Sequence, residues 1–254
     1  MIRLLLNADD FGFTEAVTYG IIKAHVDGVL HSTTLMPNMP AAKLAAKLMK
    51  NYPDLYVGQH TNIVIGTPCS DPATIPSLVD ENGNFIRSQE YRTAKRTISY
   101  EEVKKEVIAQ VEKFKALTGH IPTHLEGHAV LGYKEFDRAI RDVARIYGIH
   151  SFEDISDTEK YAKIVELTKI KAPSRFYAEG VCIEYFLEDR AGILQLGNKV
   201  GHLRCHPGYI DQELMEWSSY NLPRCKEVAV LCDERLKKWI KDHNIELIGF
   251  DDLL

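Results

Sequence analysis

The chain begins with Met1-Ile-Arg-Leu-Leu-Leu-Asn-Ala-Asp-Asp-Phe-Gly12, and this stretch decides the fold. Residues 2–6 form a short, mainly apolar run, which is typical of a strand covered on both faces. Two adjacent carboxylates, Asp9 and Asp10, follow where the strand gives way to a loop. The pattern predicts a buried first strand of a parallel sheet, with acidic side chains at its carboxyl end.

Strands and helices alternate along the rest of the chain. This alternation predicts a parallel sheet with right-handed crossovers. A count of about seven strands favours an α/β barrel, incomplete or distorted, over the alternative of an open doubly wound sheet. The further strands are predicted at residues 30–36, 55–60, 121–126, 149–152, 200–205 and 245–250, and the main helices at 14–28, 99–119, 136–147 and 225–243.

Two segments are longer than the usual connections of a compact domain. Residues 61–98 contain several prolines and a turn-like stretch, and residues 151–199 contain an aromatic-rich part and one helical pattern at 159–169. Connections of this length are usually lids or binding loops. We therefore expect a single catalytic domain over residues 1–254, in which 61–98 and 151–199 are substrate-binding insertions.

Composition excludes several classes of partner. The 254 residues are 45% hydrophobic and 26% charged, which is ordinary for a globular protein. The net charge of −5 predicts no binding of nucleic acid or anionic membrane. The first apolar run is too short for a signal peptide or a membrane span, and five cysteines without a CxxC pair indicate a reducing cytoplasm. The oligomeric state stays open, a homodimer included.

Polar residues of ligand or acid–base type follow several of the predicted strands. Asp9 and Asp10 come after the first strand, His60 ends the third, His128 follows the fourth and His206 follows the sixth. The carboxyl ends of parallel strands meet on one face, which holds the active site in such folds. Each residue alone has a plainer reading, since aspartate is common in turns and histidine in polar contacts of the core.

One carboxylate and two imidazoles make a small metal site with open positions. A metal lowers the pKa of its bound water, a second carboxylate acts as general base, and a histidine acts as general acid. The set predicts metal-assisted hydrolysis of an amide or an ester. Glu126 is expected to orient a ligand histidine. His124 is expected to be a hydrogen-bonded core residue, while His202 and Arg204 are expected to form a buried ion-pair network.

Several motifs together resemble the YdjC/ChbG-like carbohydrate deacetylase family, almost over the full chain. They are Leu6-Asn-Ala-Asp-Asp-Phe-Gly12, Ser32-Thr-Thr34, Gly58-Gln-His60, Pro122-Thr-His-Leu-Glu-Gly-His128, Phe176-Tyr177, Cys205-His-Pro207 and Tyr220-Asn-Leu-Pro-Arg224.

The resemblance implies a polysaccharide-deacetylase-like, distorted (β/α) barrel of about seven parallel strands. It implies removal of an acetyl group from an N-acetylated sugar or short oligosaccharide, chitobiose-like and with phosphorylated forms included. The cofactor it implies is Mg²⁺, while two imidazole ligands also suit Zn²⁺, Co²⁺ or Mn²⁺. The implied roles are general base for Asp9, general acid for His206, metal ligands for Asp10, His60 and His128, and substrate contacts for Phe176, Tyr177 and Arg224.

The sequence departs from the family pattern beside the predicted metal site. Gln59 replaces the usual hydrophobic residue, and Ala129-Val-Leu-Gly132 replaces a histidine-rich continuation. Two rival functions stay open. One is a metal-dependent sugar isomerase or aldolase on a barrel, which needs more carboxylate ligands or a strand-end lysine. The other is a catalytically inactive, sugar-sensing protein with the same fold.

Overall fold

A computed structural model of the protein describes residues 1–93, 96–130, 133–152, 161–163 and 176–253. Eight strands form one sheet, and every strand pair in it is parallel. The strands are β1 (Ile2–Phe11), β2 (Ser32–Leu35), β3 (Tyr56–Thr61), β4 (His124–Gly127), β5 (His150–Ser151), β6 (Tyr161–Lys163), β7 (Val200–Cys205) and β8 (Ile245–Leu247).

Strand β1 lies at the centre of the sheet and is buried from Leu4 to Phe11. Strand β7 pairs with β1 along one edge, from Arg3 to Ala8. Strands β8 and β2 share the other edge, because β8 pairs with the start of β1 and β2 pairs with its end. Strand β1 is thus paired along both edges, and its apolar side chains pack into the core on both faces of the sheet.

The order of strands is that of a barrel. From β1 the sheet continues through β2, β3, β4 and β5 in one direction, and through β7 and then β6 in the other. A doubly wound sheet would instead continue with rising numbers on both sides of β1. Among the described residues no pairing joins β5 to β6. The α/β class and the distorted barrel predicted from the sequence are therefore confirmed.

Strand β6 corrects one element of the sequence analysis. The helical pattern predicted for residues 159–169 contains a strand at Tyr161–Lys163, which pairs with the start of β7. The rest of that prediction lies outside the described residues. The pattern of polar and apolar residues in so short a segment does not distinguish a helix from an edge strand. Here the hydrogen-bonded pairing with β7 determines that the segment is a strand.

Helices cover the sheet between its strands. Thr14 caps the first helix as predicted, since its side chain accepts a hydrogen bond from the Val17 N–H. The helix predicted at 225–243 is two helices, because Asp233 caps a new one. The helices are α1 (Glu15–Val26), α2 (Ala42–Leu48), α3 (Ser88–Arg92), α4 (Tyr100–Thr118), α5 (Lys134–Tyr147), α6 (Glu184–Leu187), α7 (Gln212–Trp217), α8 (Leu222–Leu231) and α9 (Glu234–Asp242), with 3₁₀ turns at Met49–Asn51, Pro72–Thr74, Ala178–Gly180, Ile193–Gln195 and Phe250–Leu253.

Both long insertions have packed apolar interiors where they are described. Ile75, Leu78 and Phe85 of the first insertion join Val107 and Val111 of α4 in one buried cluster. The described part of the second insertion contributes to the cluster that contains β1. The described parts of the insertions therefore pack against the barrel, and their polar residues can form part of a site.

Two observations bear on the expected surroundings of the protein. Within the described ranges, no helix is both long enough and apolar enough to cross a membrane. The five cysteines are free thiols.

Candidate functional site

A bulge at the end of β1 turns the two adjacent carboxylates toward one point. The register against β2 shifts between Ala8 and Phe11, and Asp10 takes a left-handed backbone conformation with φ of 75°. Side chains of neighbouring strand residues normally point to opposite faces. The bulge changes this, and an oxygen of Asp9 and an oxygen of Asp10 lie 3.9 Å and 3.5 Å from Nε2 of His60.

Asp10, His60 and His128 together form the candidate metal centre. Oδ1 of Asp10 lies 3.0 Å from Nδ1 of His128 and 3.5 Å from Nε2 of His60. These donor atoms all lie within 4.8 Å of one another. Oδ1 of Asp10 is buried and has no hydrogen-bond partner among the described residues. A buried carboxylate oxygen facing two imidazole nitrogens fits a divalent cation.

A second group of donors, Asp9, His60 and Glu126, is less suited to a metal. Oε1 of Glu126 accepts hydrogen bonds from Thr34 at 2.8 Å and Asn7 at 3.3 Å, and it lies 3.0 Å from Nδ1 of His60. Its other oxygen is paired with Arg204 at 3.0 Å. The lone pairs that a cation would need are already used.

The contact of Glu126 with His60 is the orienting role that the sequence predicted for this carboxylate. A carboxylate on Nδ1 leaves Nε2 of the ring free to face a cation. Burial opposes the charged form of Glu126, but Arg204 and His60 hold its pKa well below the usual range. Glu126 is fully buried, whereas Arg204 has a side chain that is 26% exposed and lines the cleft. The ion pair expected for Arg204 is therefore present, but it is only partly buried and lies at the wall of the site.

Arg224 neutralises the other side of Asp10. Its Nη2 lies 2.6 Å from Oδ2 of Asp10, and both side chains are buried. Burial opposes ionisation, yet Arg224, His128 and His60 hold the pKa of Asp10 well below its usual range. Arg224 also donates to the Tyr220 carbonyl at 2.7 Å. It borders the cleft as well, and its predicted contact with substrate stays a prediction.

Asp9 and His206 lie side by side next to the metal centre. Oδ2 of Asp9 is 3.7 Å from Nε2 of His206, and Asn7 donates to Oδ1 of Asp9 at 2.9 Å. Burial and the nearby Glu126 raise the pKa of Asp9 to about 8. Burial also lowers the pKa of His206 to about 3. A cation bound to Asp10 would favour the ionised form of Asp9, because opposite charges stabilise one another.

The site opens into a cleft of about 1030 Å³. Tyr177 from the second insertion and Tyr220 stack with ring centroids 4.2 Å apart at one wall. Trp217 of α7 lies on the rim of the cleft, and the centroid of its ring is 6.2 Å from that of Phe13. From the first insertion, Arg87 and Arg92 reach the cleft. A cleft of this size, with aromatic and charged walls, has room for a small-molecule ligand.

The structure separates the two aromatic residues that were predicted to contact substrate. Tyr177 is 46% exposed and lines the cleft. Phe176 is 3% exposed and packs against Tyr185 and Phe186 in the core. The reason is that adjacent residues in an extended segment face opposite ways. The prediction for Phe176 is corrected, and that for Tyr177 is retained.

One of the departures from the family pattern, Ala129, lies at the edge of the cleft. Ala129 follows His128 directly, lines the cleft and has a positive φ of 51°. Gln59 is fully buried and donates to Thr61 at 3.2 Å. Residues 131 and 132 lie outside the described residues. The replacement of larger side chains by Ala129 therefore changes the cleft wall next to the metal centre and leaves the three donor atoms in place.

Sequence reasoning missed Glu227 of α8. It is fully buried and accepts hydrogen bonds from the His206 backbone N–H and the Tyr220 hydroxyl. Its position three residues after Arg224 places both on the same face of the helix, toward the barrel. That spacing was the one available signal, and a charged pair on a helix is more often exposed to solvent.

Comparisons with known proteins match almost the whole chain. A family model described as YdjC-like protein matches residues 3–242. Carbohydrate deacetylase 2 of Listeria innocua is 34% identical over 253 residues, covering 99% of this chain and 98% of that protein. Carbohydrate deacetylase of Geobacillus stearothermophilus is 33% identical over 258 residues, covering 97% and 96%.

Solved structures give the same picture. The crystal structure of a candidate cellobiose-phosphate cleavage protein from Enterococcus faecalis V583 matches with a TM-score of 0.84 and 30% identity, covering 99% of this chain and 98% of that chain. The Xyl-CE4 domain of a multidomain xylanase, from the hindgut metagenome of Trinervitermes trinervoides, has a TM-score of 0.50 at 9% identity and covers 99% and 89%. The second likeness concerns the fold alone.

The metal centre predicts a cation-dependent gain in thermal stability. A ligand whose free concentration is about a hundred times its dissociation constant stabilises the folded state by about 2.7 kcal/mol. Such a gain raises Tm by several degrees. We expect Mn²⁺ or Zn²⁺ to raise the Tm of the wild-type protein and of His206→Ala, but not that of His128→Ala. An equal rise in all three proteins, measured by differential scanning fluorimetry, would contradict the assignment.

Proposed function

The chain belongs to the YdjC-like protein family, and on this premise we propose that it is a metal-dependent carbohydrate deacetylase. The observation that carries the proposal is the joint placement of an acid–base pair, Asp9 and His206, beside the donor set of Asp10, His60 and His128. The curated relatives named carbohydrate deacetylase support it. The reaction is hydrolysis of an N-acetyl group on a sugar or short oligosaccharide.

Asp10, His60 and His128 would hold the divalent cation. A bound cation supplies positive charge that polarises the acetyl carbonyl and lowers the pKa of water in the site. Mg²⁺ is our first candidate from the family, and the two imidazole donors also suit Zn²⁺, Co²⁺ or Mn²⁺. Arg224 and Glu126 keep the donors charged or oriented through their contacts with Asp10 and His60.

The proposed proton transfers involve Asp9 and His206. Asp9 removes a proton from the attacking water, whose oxygen bonds to the acetyl carbon, and His206 protonates the sugar nitrogen as the C–N bond breaks. Acetate and a free amine are the products. The two groups lie 3.7 Å apart, a separation that a small side-chain movement closes. The proton that Asp9 takes from water can therefore pass to His206, which is neutral at rest because burial lowers its pKa, and from His206 to the nitrogen, so that both groups return to their starting state.

The walls of the cleft fit a sugar substrate. The exposed face of Tyr177 and the ring of Trp217 offer flat surfaces on which a pyranose can pack its C–H bonds. We therefore propose a chitobiose-like substrate with two or more rings. We also propose the cytoplasm as the compartment, with the five free thiols as support.

A phosphorylated sugar is the finer form of this proposal. Arg87 and Arg92 border the cleft, and neither forms an ion pair with another described residue. An arginine without a carboxylate partner is available for a substrate anion, which a guanidinium binds with two parallel hydrogen bonds. The protein of similar structure from Enterococcus faecalis is named for cellobiose-phosphate cleavage, which agrees with an anionic substrate.

The two rival functions receive less support. The described lining of the cleft contains no lysine for a Schiff base. The donor group with two carboxylates, Asp9, His60 and Glu126, is poorly suited to a metal because both oxygens of Glu126 are already paired. A sugar-sensing protein without activity would have no need of Asp9 and His206 beside the metal donors. The deacetylase proposal uses every polar group of the centre.

Substitution of the general base tests the proposal directly. We expect Asp9→Asn to lower acetate release from N,N′-diacetylchitobiose by roughly 10²–10⁴-fold, because the variant has the same shape but cannot accept the proton of water. The control is Asp27→Asn, an exposed position at the end of α1, which should behave as wild type. Wild-type turnover by Asp9→Asn would contradict the base assignment.

The phosphate proposal has its own test. We expect the double variant Arg87→Gln/Arg92→Gln to raise KM for chitobiose phosphate about tenfold or more, since a hydrogen bond to a charged group contributes roughly 1.5–3 kcal/mol. The KM for unphosphorylated chitobiose should be unchanged. Arg138→Gln, at an exposed position of α5, is the control. Equal changes of KM for both substrates would show that the two arginines do not bind the phosphate group.

A further inference from the structure

Glu227 is a buried carboxylate that the proposed reaction does not use. It lies on α8 and is fully buried, and no cationic side chain of the described residues lies within hydrogen-bond distance of its carboxylate. A buried carboxylate is costly unless its oxygens are well paired. The pairing that Glu227 has is therefore informative about what the residue does.

One carboxylate group connects three segments of the chain. One oxygen accepts from the backbone N–H of His206, in the turn after β7, and the other accepts from the Tyr220 hydroxyl. That hydroxyl in turn accepts a hydrogen bond from the Ala178 N–H at 3.1 Å. The turn that carries His206, the segment before α8 and the second insertion thus meet at Glu227.

The ring of His206 depends on these connections. Its Nδ1 is buried without a hydrogen-bond partner among the described residues, and its Nε2 is too far from Asp9 for a hydrogen bond. The ring instead packs edge-on against Tyr177 and Tyr220, with centroids 5.8 Å and 5.5 Å away. Its position is set by its own backbone and by two tyrosine rings.

Both the backbone of His206 and one of the two tyrosine rings that pack against its imidazole are hydrogen-bonded to Glu227. The backbone N–H of His206 is held by one carboxylate oxygen, and Tyr220 is held by the other. Tyr177 is stacked on Tyr220 at an angle of 9° between the rings, so its position follows from that of Tyr220. Without the carboxylate, the backbone of His206 would keep, among the described residues, only a long hydrogen bond, from Arg224 to its carbonyl oxygen at 3.5 Å, and Tyr220 would lose the acceptor of its hydroxyl.

We propose that Glu227 is a positioning residue that holds the imidazole of His206 in line with the leaving nitrogen. This inference rests on the proposed deacetylase function. It assigns Glu227 no contact with the substrate, and it predicts an effect only on steps in which His206 gives up a proton.

The leaving group separates this role from a general structural one. An amide nitrogen must accept a proton, from His206, as its C–N bond breaks, because a free amide anion is too basic to leave. A 4-nitrophenyl ester loses nitrophenolate when its C–O bond breaks, and no proton is needed. A misplaced His206 should therefore slow amide hydrolysis and leave ester hydrolysis nearly unchanged, while a damaged metal centre should slow both.

The experiment compares Glu227→Gln with the wild-type protein on two substrates. Glutamine has nearly the same shape, but its NH₂ group cannot accept from either donor, so one of the two connections is lost. We expect acetate release from diacetylchitobiose to fall by roughly tenfold to a hundredfold, part of the 10²–10⁴ that a general acid contributes. Hydrolysis of 4-nitrophenyl acetate should stay within about threefold of wild type.

Two controls accompany this comparison. Glu234→Gln changes an exposed glutamate at the start of α9 and should leave both rates unchanged. Asp9→Asn should lower both rates, which establishes that the ester is hydrolysed in the same site. The cation-induced rise in Tm should persist in Glu227→Gln, because Asp10, His60 and His128 do not contact Glu227.

Tyr220→Phe provides a second variant if Glu227→Gln does not fold. It removes the hydroxyl and keeps the ring, so it should give the same selective loss of amide hydrolysis, smaller in size. Equal losses on amide and ester, or no loss on the amide, would overturn the role of Glu227. A wild-type protein that releases no acetate from any N-acetyl sugar would overturn the proposed function itself, which is a different result.

Discussion

The ion pair between Asp10 and Arg224 is the contact on which the rest of the site depends. Two carboxylates at the end of β1 are almost completely withdrawn from water, and an uncompensated buried charge is too costly to persist. Arg224 takes one oxygen of Asp10 at 2.6 Å. The other oxygen keeps no hydrogen-bond partner among the described residues and faces two imidazoles. The fold thus compensates one half of the carboxylate, and we propose that a cation binds the other half.

The same principle accounts for the layer beneath the metal centre. Glu126 is fully buried, and its charge is balanced by Arg204 and by its contact with His60. Because that contact fixes the ring of His60, the ring presents Nε2 to the carboxylates of β1. Acidic and basic groups alternate from the barrel interior to the cleft, and each group orients the next one.

The fold and the donor set could be predicted from the sequence for a simple reason. Parallel strands bring their carboxyl ends together, so polar residues after separate strands had to meet at one face. The bulge that turns Asp9 and Asp10 toward the same point was not predictable, because it depends on the register with β2. The strand within 159–169 was missed because its partner, β7, is distant in the sequence. Phe176 and Tyr177 could not be told apart, since composition does not say which of two adjacent rings faces the core. Glu227 accepts a hydrogen bond from the backbone N–H of His206, and a contact with a backbone group cannot be predicted from residue types alone.

The most direct test of the account is the position of the metal. Anomalous diffraction from crystals soaked with Mn²⁺ or Zn²⁺ locates the ion without reference to activity. The account predicts one peak, about 2.0–2.3 Å from Oδ1 of Asp10, Nε2 of His60 and Nδ1 of His128. A peak enclosed by Asp9, His60 and Glu126, or no peak near Asp10, would contradict it.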